Sequence, residues 1–223
     1  HRLYLPMFGF GLFLPYLLLH CLSNKRLLAL VLSLSIITSL GSATYLRNIT
    51  WQDNTILWSD VVSKSPHNYR AHNNLGGALG KQGRTAEAIE HYLQALRIKP
   101  DYVEAHYNLA ITLEKQGRTA EAIEHYLQAL RIKPDYVDAH NNLAIALYKQ
   151  GRTAEAIEHY LQALRIKPDY EKAHYNLAIA HFSQGNIERA IAHFRKALRI
   201  NPDSIHIKNN LKKALMIQQQ KNE

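Results

Sequence analysis

The pattern of apolar and polar positions changes once along this chain. Residues 3–22 and 27–46 are apolar runs almost free of charge, and everything after Asp53 is mixed. From Tyr69 onward the apolar positions recur every 34 residues, and Pro100, Pro134, Pro168 and Pro202 close the units. The string KQGRTAEAIEHYLQALRIKPDY stands letter for letter at 81–102, 115–136 and 149–170. Within one unit, Leu75 and Leu79 mark one helical face, Gly83 interrupts, and Ala88, Ile89, Tyr92, Ala95 and Leu96 mark a second. Spacings of three and four predict helices over 71–82 and 85–98. A unit of this length buries its apolar face only by stacking on copies of itself, so the expected fold is all-α, a solenoid of helix pairs.

The punctuation between helices has local causes. Gly83, Gly117, Gly151 and Gly185 fall where a chain leaves a helix through the left-handed region, and each proline stops a second helix by removing an amide donor. Asp101, Asp135 and Asp169 are expected to cap the following helices, with Glu104 completing a capping box after the first.

With aromatic, leucine, glycine, alanine and proline slots filled by His72, Leu75, Gly76, Leu79, Ala88, Tyr92, Ala95 and Pro100, the unit resembles the tetratricopeptide repeat. It departs from that pattern in His72, in Leu79, and in Ala110, Ala144 and Ala178 at the glycine position. The resemblance implies a right-handed superhelix with repeats at 69–102, 103–136, 137–170 and 171–204. A capping helix at 205–223 exposes Lys208, Lys212 and Lys213 as a polar end. Counting back one period from Pro100 lands on Pro66, so 47–68 reads as a linker with a degenerate half repeat carrying Trp58 in the aromatic slot.

As helices, the runs at 1–22 and 27–46 each cover roughly 30 Å, the hydrocarbon thickness of a bilayer. They predict a two-helix transmembrane hairpin joined by the basic loop 23–26. The alternatives are two buried globular helices, or a signal peptide followed by one anchor. Against a signal peptide, the chain opens with His1-Arg2 and carries Pro6 and Pro15 in the first run. A start at His implies that the sequence begins within a longer protein. Lys25 and Arg26 favour a cytoplasmic loop, which puts the rest of the chain, the array included, outside.

The chain has 223 residues, a formal charge of +9 and one cysteine, Cys21, which excludes an internal disulfide framework. Basic and acidic side chains mix at helix ends and turns, which argues against nucleic acid as a partner. Histidines recur in register at 72, 106, 140 and 174 and at 91, 125, 159 and 193. Spacings of nineteen and thirty-four do not by themselves make ligands converge, so neither a metal nor any other cofactor is expected.

The first helices of stacked pairs would line a concave surface suited to an extended peptide or partner protein. Asn74, Asn108, Asn142 and Asn176 fall at one repeat position, and Asn210 continues the row. A side-chain amide both donates and accepts, so such a row is expected to bond the backbone of a bound chain, or else to bond within the array. Similar ladders line the repeats of the O-linked N-acetylglucosamine transferases. Tyr107 and Tyr175 add contact area, and Lys81, Lys115 and Lys149 line a rim that favours a carboxylate-bearing ligand. The repeat-family clamp that grips chaperone C-termini has lysine and asparagine where this chain has Tyr107 and Ile111, which disfavours that ligand.

Arg2, Tyr4 and Pro6 enter the first apolar run. Together with the hairpin, the half repeat and the array, this layout resembles the C-terminal part of the transmembrane and tetratricopeptide-repeat O-mannosyltransferases and their bacterial relatives. The resemblance implies an integral membrane protein with its array on the periplasmic side of a bacterial inner membrane, or lumenal in the endoplasmic reticulum of a eukaryote. Arg2 would contact a lipid phosphate or anchor the helix end. The catalytic acidic residues of that family lie in an early outer loop absent from this sequence, so no catalytic residue is expected here. The expected function is a membrane-anchored protein-interaction module. The alternatives are the substrate-presenting part of a polyprenyl-phosphate-sugar-dependent O-glycosyltransferase and a scaffold for an envelope complex.

Overall fold

The computed structural model describes His20, residues 25–50 and residues 53–222. Among these the chain forms eleven helices and no strand. It divides into two compact units, residues 1–60 and 61–223.

The first unit contains α1 (Arg26–Thr50), and α2 (Asn54–Lys64) begins within it. On α1, Leu27, Leu28, Leu30, Val31, Leu34 and Ile37 are exposed. Thr38, Ser39, Gly41, Ser42 and Thr44 interrupt its later turns. Thr38 Oγ1 donates to Leu34 O at 2.9 Å and Thr44 Oγ1 to Leu40 O at 2.8 Å, so these hydroxyls turn back on their own helix. Among the described residues no helix is long and apolar enough to cross a membrane. The transmembrane hairpin is therefore not supported: its first arm lies outside the described residues apart from His20, and α1 does not qualify as a span by itself. Asp53 caps α2, its Oδ1 accepting from Thr55 N at 2.7 Å.

The second unit holds four helix pairs: α3 (Tyr69–Lys81) with α4 (Thr85–Ile98), α5 (Val103–Lys115) with α6 (Thr119–Ile132), α7 (Val137–Lys149) with α8 (Thr153–Ile166), and α9 (Glu171–Ser183) with α10 (Ile187–Ile200). Each pair packs on itself, each second helix packs on the next first helix, and α11 (Ile205–Asn222) closes the end. Fully buried alanines let the helices approach, among them Ala71, Ala88, Ala95, Ala105, Ala122 and Ala129. Tyr92, Tyr126, Tyr160 and Phe194 fill the space between them. Removing a wholly buried ring such as Tyr126 costs about 3–5 kcal/mol by analogy with other core aromatics. At the far end Ile207 and Ala214 of α11 are buried against Ile191 and Phe194.

Every first helix ends in the same device. Gly83, Gly117, Gly151 and Gly185 have φ of 79°, 76°, 79° and 75°. Arg84 N donates to Leu79 O at 3.0 Å and Gly83 N to Gly80 O at 3.3 Å, the paired bonds of a Schellman motif. The helix starts differ from expectation. Asn68 caps α3, its Oδ1 accepting from Ala71 N at 3.1 Å. However, α5, α7 and α9 follow Tyr102, Tyr136 and Tyr170 with no side-chain cap, so Asp101, Asp135 and Asp169 sit one residue too early. Ring packing explains the shift. Tyr102 meets Tyr69 edge-on at 4.8 Å between centroids, Tyr136 meets Tyr107 at 4.7 Å, and Tyr170 donates its hydroxyl to Asp138. Burying an aromatic body against the first helix of the preceding pair outweighs a cap worth about 1 kcal/mol.

Candidate functional site

The first helices bring one row of amides into register. Asn108 Nδ2 donates to Asn73 Oδ1 and Asn176 Nδ2 to Asn141 Oδ1, each at 3.1 Å. Asn142 Nδ2 donates to the Tyr107 hydroxyl at 3.1 Å and Asn210 Nδ2 to the Tyr175 hydroxyl at 3.0 Å. Each bond joins one repeat to the next. The acceptors alternate along the array: Asn73, Tyr107, Asn141, Tyr175. Asn73 and Asn141 also donate to their chain neighbours, Asn74 Oδ1 at 3.4 Å and Asn142 Oδ1 at 3.2 Å.

An amide nitrogen has two hydrogens, so Asn108, Asn176 and Asn210 each keep one N–H beyond the bond given above, whereas Asn142 also bonds the Tyr126 hydroxyl. All four are half-buried, and their orientation is fixed by the bond to the preceding repeat. The Tyr107 ring lies 6.0 Å from Tyr126 and 4.7 Å from Tyr136, and Tyr175 lies 6.0 Å from Phe194. Burial, with Tyr136 and Asp138 nearby, pushes the Tyr107 phenol well above its ordinary range, so it stays a neutral hydroxyl.

The three rim lysines are not equivalent. Lys149 pairs with Glu114, whose carboxylate is 15% exposed and also accepts from the Tyr126 hydroxyl at 3.3 Å. Among the described residues Lys81 and Lys115 form no ion pair, and both are exposed. Arg2, the expected lipid-phosphate contact, lies outside the described residues.

The histidines converge in a way their spacing did not announce. His72 Nδ1 lies 3.0 Å from His91 Nδ1, and the distances for His106 and His125, His140 and His159, and His174 and His193 are 3.0, 3.1 and 3.0 Å. Nε2 of the first ring reaches the carbonyl of Pro66, Pro100, Pro134 or Pro168 at 2.9–3.0 Å. Two rings per repeat fall short of a metal cage, and among the described residues no group of three or more His, Cys, Asp or Glu side chains could hold an ion. A sequence signal for the pairing was available: α10 departs from its sister helices at Phe194, Arg195 and Lys196 yet keeps His193. The same repeat places His181 where the others have Leu79, Leu113 and Leu147. His181 is buried, stacks on His193 at 5.9 Å, and its Nδ1 has no partner.

Nested helix pairs, glycine Schellman turns and the stacked first-helix row define a tetratricopeptide-repeat solenoid. Models of the tetratricopeptide repeat match residues 69–135, 107–171 and 142–205, and the chain belongs to that family. Over 100 residues it is 39% identical to Protein O-mannosyl-transferase F38B6.6 of Caenorhabditis elegans, a match covering 45% of this chain and 14% of that protein. Over 105 residues it is 30% identical to Protein O-mannosyl-transferase Tmtc2 of Drosophila melanogaster, covering 46% and 11%. The chain thus matches only a small part of the length of these relatives.

Among solved structures, MamA superposes with a TM-score of 0.62 at 25% identity, over 65% of this chain and 85% of that one. Pseudomonas aeruginosa pilF gives 0.62 at 25% identity, over 68% and 69%. YrrB, described as a TPR protein with an unusual peptide-binding site, gives 0.63 at 19% identity over 80% and 89%, a likeness of fold.

Proposed function

We propose that the array binds an extended polypeptide along its first helices, with Asn74, Asn108, Asn142, Asn176 and Asn210 meeting the ligand backbone and Tyr107 and Tyr175 supplying contact area. The observation that carries this reading is the amide row itself, oriented by bonds between repeats while hydrogen-bonding capacity remains spare. Polar groups held in place before the ligand arrives lose little freedom on binding. Lys81 and Lys115, free of ion pairs, favour a carboxylate on the ligand, whereas Lys149 is already neutralised by Glu114. YrrB, described by its peptide-binding site, supports a peptide as ligand. The test is to select a binder from a displayed random-peptide library on the full chain, then titrate it calorimetrically. Replacing Asn108, Asn142 and Asn176 together with alanine weakens that binder by about tenfold or more, about 1.4 kcal/mol; an unchanged affinity refutes the reading.

Identity with two O-mannosyltransferases favours a second reading, in which the array presents a protein substrate to a sugar-transferring parent whose catalytic residues lie elsewhere. There the exposed leucines of α1 would attach the chain to a membrane, Arg2 would meet a lipid phosphate, and the array would face the periplasm or lumen. A cysteine at Gln94, in a chain with Cys21 replaced by serine, then reacts with an impermeant thiol reagent on sealed spheroplasts; reaction only after lysis reverses the orientation.

A further inference from the structure

The imidazole pairs occupy the joint of every repeat. His72 sits on α3, its partner His91 on α4, and the Pro66 carbonyl in the turn ahead of α3. For His106 that carbonyl is Pro100, in the turn that closes the previous repeat. One imidazole therefore ties together the two helices of its own unit and the end of the unit before.

The bonds assign the protons. A carbonyl only accepts, so Nε2 of the first ring carries a hydrogen. Its Nδ1 is then the lone-pair atom of a neutral ring, and the partner's Nδ1 must carry the hydrogen between them. A further proton has one harmless place, the outer nitrogen of the partner ring. The next has only the lone pair already used by the bridge, and it would set two cations about 3 Å apart in a half-buried joint.

We infer that the four pairs are proton-operated latches, each closed while a single proton bridges its rings and opened when both rings become cations, so that acid parts α9 from α10 first and the earlier repeats after. The order follows from the surrounding charge. Glu90 and Glu87, the latter paired with Arg84, lie near His91; Glu121, paired with Arg118, lies near His125; and Glu155, paired with Arg152, lies near His159. His193 faces Lys196 and His181, and its pair borders a cavity of about 530 Å³ lined also by Arg165, Arg199 and Asp169. Burial and then His174 hold His193 down to about 4, and burial lowers His91, His125, His159 and His174 below their usual value.

Groups whose folded form is the less basic stabilise the fold fully above the ordinary histidine value of about 6.5 and lose that contribution as pH falls below it. The loss is greatest where the depression is greatest, in the fourth repeat.

The experiment uses the full chain in mild detergent. Hydrogen exchange, corrected for intrinsic rate, is followed by mass spectrometry at about pH 8 and about pH 5, with thermal unfolding by circular dichroism alongside. Acid lowers the midpoint by about 5 °C or more and raises exchange first in residues 171–200. In the variant H91Q/H125Q/H159Q/H193Q, an amide replaces the bridging donor without titrating, and most of the acid shift disappears. An unchanged midpoint across this range, or an equal shift in the variant, overturns the latch. If the variant does not fold at pH 8, nitrogen-15 spectra of the unaltered chain decide: hydrogens on Nε2 of His72, His106, His140 and His174 and on Nδ1 of their partners support it, and the reverse assignment overturns it.

Discussion

Asn142 gives one amide hydrogen to the Tyr107 hydroxyl, 35 residues away and one repeat earlier, at 3.1 Å. The bond fixes the orientation of a groove amide by means of the neighbouring unit. Replacing Tyr107 with phenylalanine keeps the ring against Tyr136 but removes the Asn142 bond to the Tyr107 hydroxyl. The expected loss is about 1 kcal/mol in urea unfolding, with the slope unchanged. Tyr175→Phe, which strands Asn210, gives a similar loss.

His181 stands in a slot that three sister repeats fill with leucine, and its buried Nδ1 bonds nothing. His181→Leu is therefore expected to raise stability by about 1 kcal/mol near pH 8. Burial, followed by Arg189, lowers the basicity of His181, so the native chain loses stability as pH falls below about 6.5 and the leucine variant lacks that loss. The gain in midpoint should widen between pH 8 and pH 5; a gain that narrows on acidification contradicts this account.

Gly117 has φ of 76°, and a Cβ built there meets nothing within 4 Å. Alanine at this position suffers from backbone conformation alone, about 1–2 kcal/mol. Asparagine, which tolerates the left-handed region better, should cost less than alanine. Equal losses would point to a steric cause.

Glu114 and Lys149 pair across repeats, but their surroundings differ, with side chains 15% and 58% exposed. Lys149→Ala removes a screened partner and should cost about 0.5 kcal/mol or less, declining with added salt. Glu114→Ala also deprives the Tyr126 hydroxyl of its acceptor and should cost more. Chemical denaturation of both variants at low and high salt checks the ranking.

The period of 34 made the helix pairs legible, because every copy repeats the same glycine, alanine and proline punctuation. The helix starts were less legible. Asp101 is a good cap in isolation, and only the tertiary fit of Tyr102 on Tyr69 moves the boundary past it. The asparagine row could be read from position alone, but not that its members bond to the previous repeat through an acceptor that changes from asparagine to tyrosine. The imidazole pairs were hidden because a separation of nineteen residues says nothing of distance until two helices fold across a turn. The apolar runs suggested a membrane hairpin by length and composition, whereas among the described residues no helix is long and apolar enough to form one.

The alternation of asparagine and tyrosine beneath the amide row gives the solenoid a parity. Units one and three are interchangeable at that position, as are two and four, but neighbours are not. Excising unit two would set two asparagines side by side, and excising unit three two tyrosines, although each rung would keep an asparagine donor and an acceptor. Removing or inserting two units at once would preserve the alternation as well, so a doublet is the step that lengthens or shortens the array without altering its pattern.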